Sequence, residues 1–133
     1  MAINPVRTGI YKFFTTNNTS AFYVALGGRL YYDEMSESPL YPYCVFKMFD
    51  EIRDWTFDLD FEDIAVQFDY FDTTADGCDT GLINLKSLFD YAALSITGWT
   101  TLKMERELII PSYKIEPDDI WEGKARYSIL IQK

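Results

Sequence analysis

Histidine is absent from this chain, cysteine occurs twice, and twelve Lys and Arg stand against twenty-one Asp and Glu in 133 residues. Each shortage removes a class of function. Without histidine the commonest general base and the commonest metal ligand are gone. Zinc sites and Ser–His or Cys–His dyads go with them. A net charge of −9 lacks the basic face that nucleic acid or an anionic membrane requires. No uninterrupted apolar run reaches the length of a membrane span. The start, Met1-Ala2-Ile3-Asn4-Pro5, has neither the charged opening nor the apolar stretch of a signal peptide, so synthesis and folding are expected in the cytoplasm. There, Cys44 in a strand-like run and Cys78 in a loop flanked by aspartates are expected to stay reduced and unreactive.

Aromatic residues are plentiful: ten Phe, ten Tyr and three Trp, 17% of the chain. Some fill a core; Tyr and Trp also suit interfaces, where an apolar body and a polar tip are both useful. The length fits one domain over residues 1–133 with one core, and no Pro-, Ser- or Gly-rich linker divides it.

Helical spacing of Val6, Ile10, Phe13 and Phe14 behind Asn4 and Pro5 predicts a first helix, with Asn4 as its cap. A short helical turn follows at Ser20 to Leu26, ended by Gly27-Gly28, and a short strand at Arg29 to Tyr32. Asp33 to Pro42 reads as a loop, and Tyr43 to Phe49 as a dense strand. Between Trp55 and Tyr70 the alternation changes phase. Trp55, Phe57, Leu59 and Phe61 take odd positions; Ile64, Val66, Phe68 and Tyr70 take even ones. A regular strand cannot change phase without flipping faces, so a bulge or bend is expected near Glu62-Asp63. Leu82, Leu85, Leu88, Phe89 and Ala92 predict a second main helix capped by Asp79 or Thr80 and ended by Ser95 to Gly98. Leu102, Met104, Arg106 and Leu108 alternate as a strand with one wet face, Pro111 to Trp121 reads as a loop, and Lys124 to Gln132 alternates again. The order predicts an α+β fold: a mixed, mainly antiparallel sheet with two main helices on one face.

Carboxylates are the remaining chemical resource. Asp58 to Asp63 opens like a calcium loop, but the sixth position is Asp63 where the turn needs glycine, and the alternation belongs to a strand. In a strand, Asp58, Asp60 and Glu62 form one solvated row. A glycosidase pair of acids flanking a cleft is not something sequence can place. No phosphate-binding glycine loop is present, since Gly27-Gly28 lacks the spacing and the following helix. Neither catalysis nor a cofactor nor a metal is expected. The acids are concentrated: residues 50–79 hold eleven of them and one base, Arg53, which suggests a single acidic face.

One larger pattern stands out. An N-terminal amphipathic helix leads to the apolar Ala21–Leu26, then Gly27-Gly28-Arg29-Leu30-Tyr31 and a loop into Pro42-Tyr43-Cys44-Val45-Phe46. Ile64-Ala65-Val66-Gln67-Phe68-Asp69 precedes a helix with Leu85 and Leu88-Phe89, and the chain ends in an alternating strand. This resembles the tail-completion, or tail-terminator, proteins of long-tailed bacteriophages, found also in prophages and gene-transfer particles. The resemblance covers nearly the whole chain; its most specific pieces are Gly28-Arg29-Leu30-Tyr31 and Pro42-Tyr43. It implies a virion structural protein with no cofactor and no membrane association. The subunit would join copies of itself in a hexameric ring, cap the tail tube, meet the tube protein and dock to the head connector or adaptor while DNA passes through without specific binding.

On that reading the contacts fall on Arg29, Tyr31, Tyr32, Leu40 and Tyr41 around the first loop, and on Tyr113, Ile115, Ile120 and Trp121 around the second. Each of these can instead fold back on its own core, and Arg29 can cap its own loop. Asp58, Asp60 and Glu62 can line the ring lumen, where like charge keeps DNA from sticking, or merely solubilise an outer face. Three rivals remain: another neck ring, such as a head-completion or connector subunit; an acidic DNA mimic that occupies a DNA-binding enzyme; and a small-ligand binder or enzyme using carboxylates, which would need convergent polar groups in a deep apolar pocket.

Overall fold

A computed structural model describes residues 3–33, 40–50, 61–115 and 119–133. Among these residues three helices and six strands follow in the order α1 (Ile3–Thr16), α2 (Ala21–Leu26), β1 (Leu30–Tyr32), β2 (Tyr43–Asp50), β3 (Phe61–Asp72), α3 (Ala75–Phe89), β4 (Ser95–Ile96), β5 (Trp99–Ile115) and β6 (Ile120–Gln132). The strands form one sheet, β1-β2-β3-β6-β5-β4, in which only β1 and β2 run parallel. The fold is α+β, with the expected mixed, mainly antiparallel sheet.

Strand alternation decides which side the helices cover. Cys44 and Phe46 of β2, Ile64, Val66, Phe68 and Tyr70 of β3, and Ala125, Tyr127, Ile129 and Ile131 of β6 point to one side. There they bury with Val6, Ile10 and Phe14 of α1, Phe22 and Leu26 of α2, and Leu82, Leu85 and Phe89 of α3. Phe89 is an aromatic hub, its ring centroid 4.8 Å from Phe68, 5.7 Å from Phe13 and 6.0 Å from Phe22. Offset and edge-on rings at such spacings add to plain area burial. α2 has both its caps: the Ser20 hydroxyl accepts from Tyr23 N–H, and Gly27 takes the left-handed conformation at φ 59° that a Cβ disfavours. α3 lies close on the sheet because glycines stand where it touches. A Cβ on Gly123 of β6 would come 2.4 Å from Leu82, and one on Gly81 would come 2.1 Å from the Tyr70 ring.

Several expectations need correction. Asn4 lies inside the first turn of α1, not ahead of it. α3 begins earlier than expected, capped by Thr74, whose hydroxyl accepts from Gly77 N–H at 3.0 Å, so Cys78 is a buried helix residue. It ends at Phe89; Ala92 lies beyond it, and Ser95–Ile96 is instead β4, joined to β5 by the tight turn Thr97-Gly98. No bulge interrupts Glu62-Asp63. β3 pairs with β6 in unbroken register from Phe61↔Gln132 to Asp72↔Trp121, because Phe61 and Ile64 each serve a different buried or half-buried face. The preceding run, Trp55 to Asp60, lies outside the described residues. Residues 111–115 and 120–121 are strand, not loop: β5 and β6 make one long hairpin. Three register shifts, each inserting one extra residue on β5, fall at Thr101/Lys103, Arg106/Leu108 and Ile110/Tyr113. They scramble the alternation, so that Met104 is buried while Leu102 and Leu108 are exposed. Pro111, which has no N–H to give, sits in the third shift.

Candidate assembly surfaces

The sheet side opposite the helices carries the polar chemistry. Its rows follow from the pairing: Tyr43–Phe71–Glu122–Tyr113 at one end, then Tyr31–Val45–Asp69–Lys124–Ile110, then Lys47–Gln67–Arg126–Leu108. Asp69 is buried at the centre. Gln67 Nε2 donates to its Oδ1 at 3.0 Å, and the ammonium groups of Lys47 and Lys124 lie 3.7 and 4.0 Å from its oxygens. Lys124 also reaches Glu122 at 3.7 Å, and Ser128 Oγ donates to the buried Asp63 at 2.6 Å. Arg126 lies over the Phe49 ring at 5.2 Å. Asp63, Asp69 and Glu122 are thus each met by a donor or a cation, which is what holds buried charge in place.

This arrangement divides the acids expected on one face. Asp63 and Asp69 sit among cations and donors on the helix-free side. Asp72 accepts from Thr73 N–H just before α3, Asp76 lies in the first turn of α3, and Asp79 accepts from Ser112 N–H across to β5 at 3.0 Å. Alternation that makes one face in sequence becomes two once a strand turns into a helix. Asp58 and Asp60 lie outside the described residues; Glu62 is half-buried near the start of β3.

Of the predicted contact residues, Tyr31, Tyr41 and Tyr113 come together at the Tyr43 end of the sheet, although some eighty positions separate the first from the last. Tyr43 stacks on Phe71 at 4.8 Å and meets Tyr41 at 5.3 Å and Tyr31 at 6.3 Å. Across the same row, Tyr113 pairs in register with Glu122, and burial beside that carboxylate raises its phenol. Burial, with Tyr41 and Glu122 nearby, pushes the Tyr43 phenol up to about 12, so it stays neutral. Leu40 is 68% exposed beside this cluster, and the Arg29 guanidinium donates to Pro42 O at 3.0 Å, capping its own loop. Ile115 pairs with Ile120 and Lys114 with Trp121 at the tip of the hairpin, where Trp121 packs half-buried against the core. Tyr32 points the other way, edge-on to Phe46 at 5.2 Å and under Arg7 at 4.9 Å. Phe71 and Glu122 complete the row but were not predicted; their partner strands would have had to be known.

Beside Tyr32 an open groove of about 610 Å³ runs between α1 and β1, floored by Leu30 and Phe46 and edged by Arg7, Tyr11 and Lys12. Both thiols are out of reach. Cys44 is fully buried, and burial with Asp79 and Asp72 nearby raises Cys78 to about 12. Among the described residues no group of three or more Cys, Asp or Glu is placed to hold a metal ion.

No protein-family model and no curated protein sequence matches this chain. Solved structures do share its fold. A chain of the virion of a native gene transfer agent particle superposes with a TM-score of 0.69 at 10% identity, over 96% of this chain and 98% of that one. A second solved chain superposes with a TM-score of 0.67 at 12% identity, over 100% of this chain and 97% of the other. The whole chain is thus similar in fold, end to end, to a component of a virion particle.

Proposed function

We propose that this chain is a virion structural protein of a phage-like particle, a tail-terminator subunit that forms a hexameric ring, caps the tail tube and docks it to the head connector. The observation that carries this reading is the end-to-end fold likeness to a gene transfer agent virion chain, with neither partner leaving a substantial part unmatched. It agrees with the resemblance drawn from Gly28-Arg29-Leu30-Tyr31 and Pro42-Tyr43. The chemistry is compatible: Asp63, Asp69 and Glu122 on the helix-free face are each met by a donor or a cation, and both thiols are buried. On this reading the ring needs no enzyme activity and no cofactor.

The aromatic end of the sheet, with Arg29, Tyr31, Tyr41 and Tyr113, is the proposed contact with the tube or connector, with Leu40 at its rim. Tyr32 faces a neighbouring copy, and Ile115, Ile120 and Trp121 extend the contact at the hairpin tip. Asp58, Asp60 and Glu62 are proposed to line the passage for DNA, keeping a phosphate backbone from adhering. Replacing all three with Lys should leave tails intact and impair DNA ejection; unaltered infectivity would remove the lumen assignment.

The reading is tested by light scattering of the purified chain, alone and mixed with assembled tail tubes, with electron microscopy of the tube ends. Rings of six at the tube end support it. Capture by portal or adaptor rings in place of tubes would replace it with the neck-connector reading, and competition with DNA for a nuclease or repressor would replace it with the DNA-mimic reading.

A further inference from the structure

The two ends of the sheet are unlike each other. At one end β1 is the outermost strand, only three residues long, with the α1 groove beside it. At the other, β4 covers β5 only at Trp99 and Thr100. Beyond that, the outer edge of β5 is held at two points, where Met104 O accepts from Tyr91 N–H and Ser112 N–H donates to Asp79. Between these points no strand among the described residues pairs with it, and it carries Leu108 and Ile110, each about two-fifths exposed. An open edge with apolar side chains is a site where chains associate.

Charge separates the two ends further. Arg7 and Lys12 edge the groove in a chain with only twelve basic residues, and neither forms an ion pair among the described residues. Arg7 instead lies over Tyr32. On β5, Glu107 is the extra residue of the second register shift, exposed and without an ion pair among the described residues. A bulge re-aims a side chain away from the regular pleat. One end therefore offers an apolar floor with two cations that form no ion pair among the described residues, and the other an exposed apolar pair next to a carboxylate in the same condition.

We infer that the α1–β1 groove receives the Glu107–Ile110 edge of β5 from a second copy of this chain, with Glu107 meeting Arg7 and Lys12 and Leu108 entering over Leu30 and Phe46. The inference rests on the ring reading and deepens it. Joining two different patches leaves each copy with one of each still free, so the contact is head-to-tail and generates a closed ring when the rotation permits. A face that paired with itself would stop at two copies.

Disulfide trapping tests this. Thr8 lines the groove and is exposed, Leu108 is exposed, and the native thiols are buried, so engineered cysteines report without interference. The full-length T8C/L108C chain, oxidised with tail tubes present, should give a ladder of covalent oligomers ending at the ring. An equal mixture of T8C and L108C single variants should give covalent dimers and nothing larger, and each single variant alone should give none. As a second measure, R7E/K12E and E107K chains should each elute as folded monomers by circular dichroism and light scattering, and their mixture should recover ring mass. A wild-type ring with no T8C/L108C ladder, or one indifferent to R7E/K12E, overturns this interface and leaves the ring reading standing. Dimers formed by T8C alone overturn the head-to-tail arrangement. A wild-type chain that stays monomeric with tubes overturns the ring reading and this interface together.

Discussion

Replacing Gly123 with alanine opposes two effects of different sign, so the outcome is informative. Gly123 lies in β6, between β3 and β5, opposite Tyr70. Backbone entropy alone favours alanine in a strand interior by about 0.5–1 kcal/mol. Packing argues the other way: a Cβ here would come 2.4 Å from Leu82 Cδ1, 3.1 Å from its Cγ and 3.3 Å from Cys78 Sγ. Turning the Leu82 methyl aside is not enough, because the Cγ and the sulfur stand behind it and both residues are buried. Overpacking of this kind costs about 1–3 kcal/mol. The net expectation is a loss of roughly 1–2 kcal/mol, or a melting temperature lower by about 4–8 °C in a domain of this size. Urea unfolding followed by Trp fluorescence measures it. In a Leu82→Ala background only the Cys78 Sγ contact at 3.3 Å is left, so adding Gly123→Ala should cost little or nothing, a coupling of about 1 kcal/mol. A neutral or stabilising Gly123→Ala in the wild-type background would refute the close seating of α3 on β6.

Other consequences follow from individual contacts. Tyr127 Oη donates to Asp90 Oδ1 at 2.6 Å, and Asp90 also meets Arg106 at 3.5 Å, so Tyr127→Phe leaves a partly buried carboxylate short of a donor. A loss of about 1–2 kcal/mol in urea is expected; no loss would mean that the bond contributes nothing net. Thr74→Ala should cost about 1 kcal/mol by removing the α3 cap, with Thr74→Ser largely restoring it, and equal losses for both would place the cap elsewhere. Both thiols should resist a thiol reagent in the native protein and react once it unfolds; rapid native labelling of Cys78 would contradict its burial. Cys78 and Tyr43 are both raised to about 12 from 9.0 and 10.0, so the unfolded chain releases these protons first. Their contribution is complete below the unfolded values and is lost as pH climbs from 9.0 toward about 12, and a melting temperature that held constant over that window would contradict the burial of both groups.

The elements most legible in sequence were those whose period survives folding. Ala125, Tyr127, Ile129 and Ile131 alternate and are all fully buried, and Val6, Ile10 and Phe14 keep helical spacing in α1 with the same result. β5 was not legible, because each extra residue at Leu102, Glu107 and the Pro111–Ser112 shift reverses the phase, and a bulge has no fixed signature in composition. Gly77 and Cys78 read as loop since Asp76-Gly77 is turn chemistry, yet the Thr74 cap and the contact with Tyr70 draw them into helix. Tertiary packing overrides local propensity there. The aromatic end of the sheet was partly legible. Tyr31, Tyr41 and Tyr113 were conspicuous as large side chains near predicted loops, but their shared row with Phe71 and Glu122 exists only through the strand order β1-β2-β3-β6-β5. The α1 groove was invisible, since nothing local ties Arg7 and Lys12 to Tyr32.

The central claim is that this chain closes the end of a tube as a ring, and the most direct measurement is its mass by light scattering before and after mixing with assembled tail tubes. The account predicts a 15.5 kDa chain that becomes a tube-bound hexamer, visible as a ring at the tube end. A chain that stays monomeric at every salt concentration and leaves the tubes bare would contradict it.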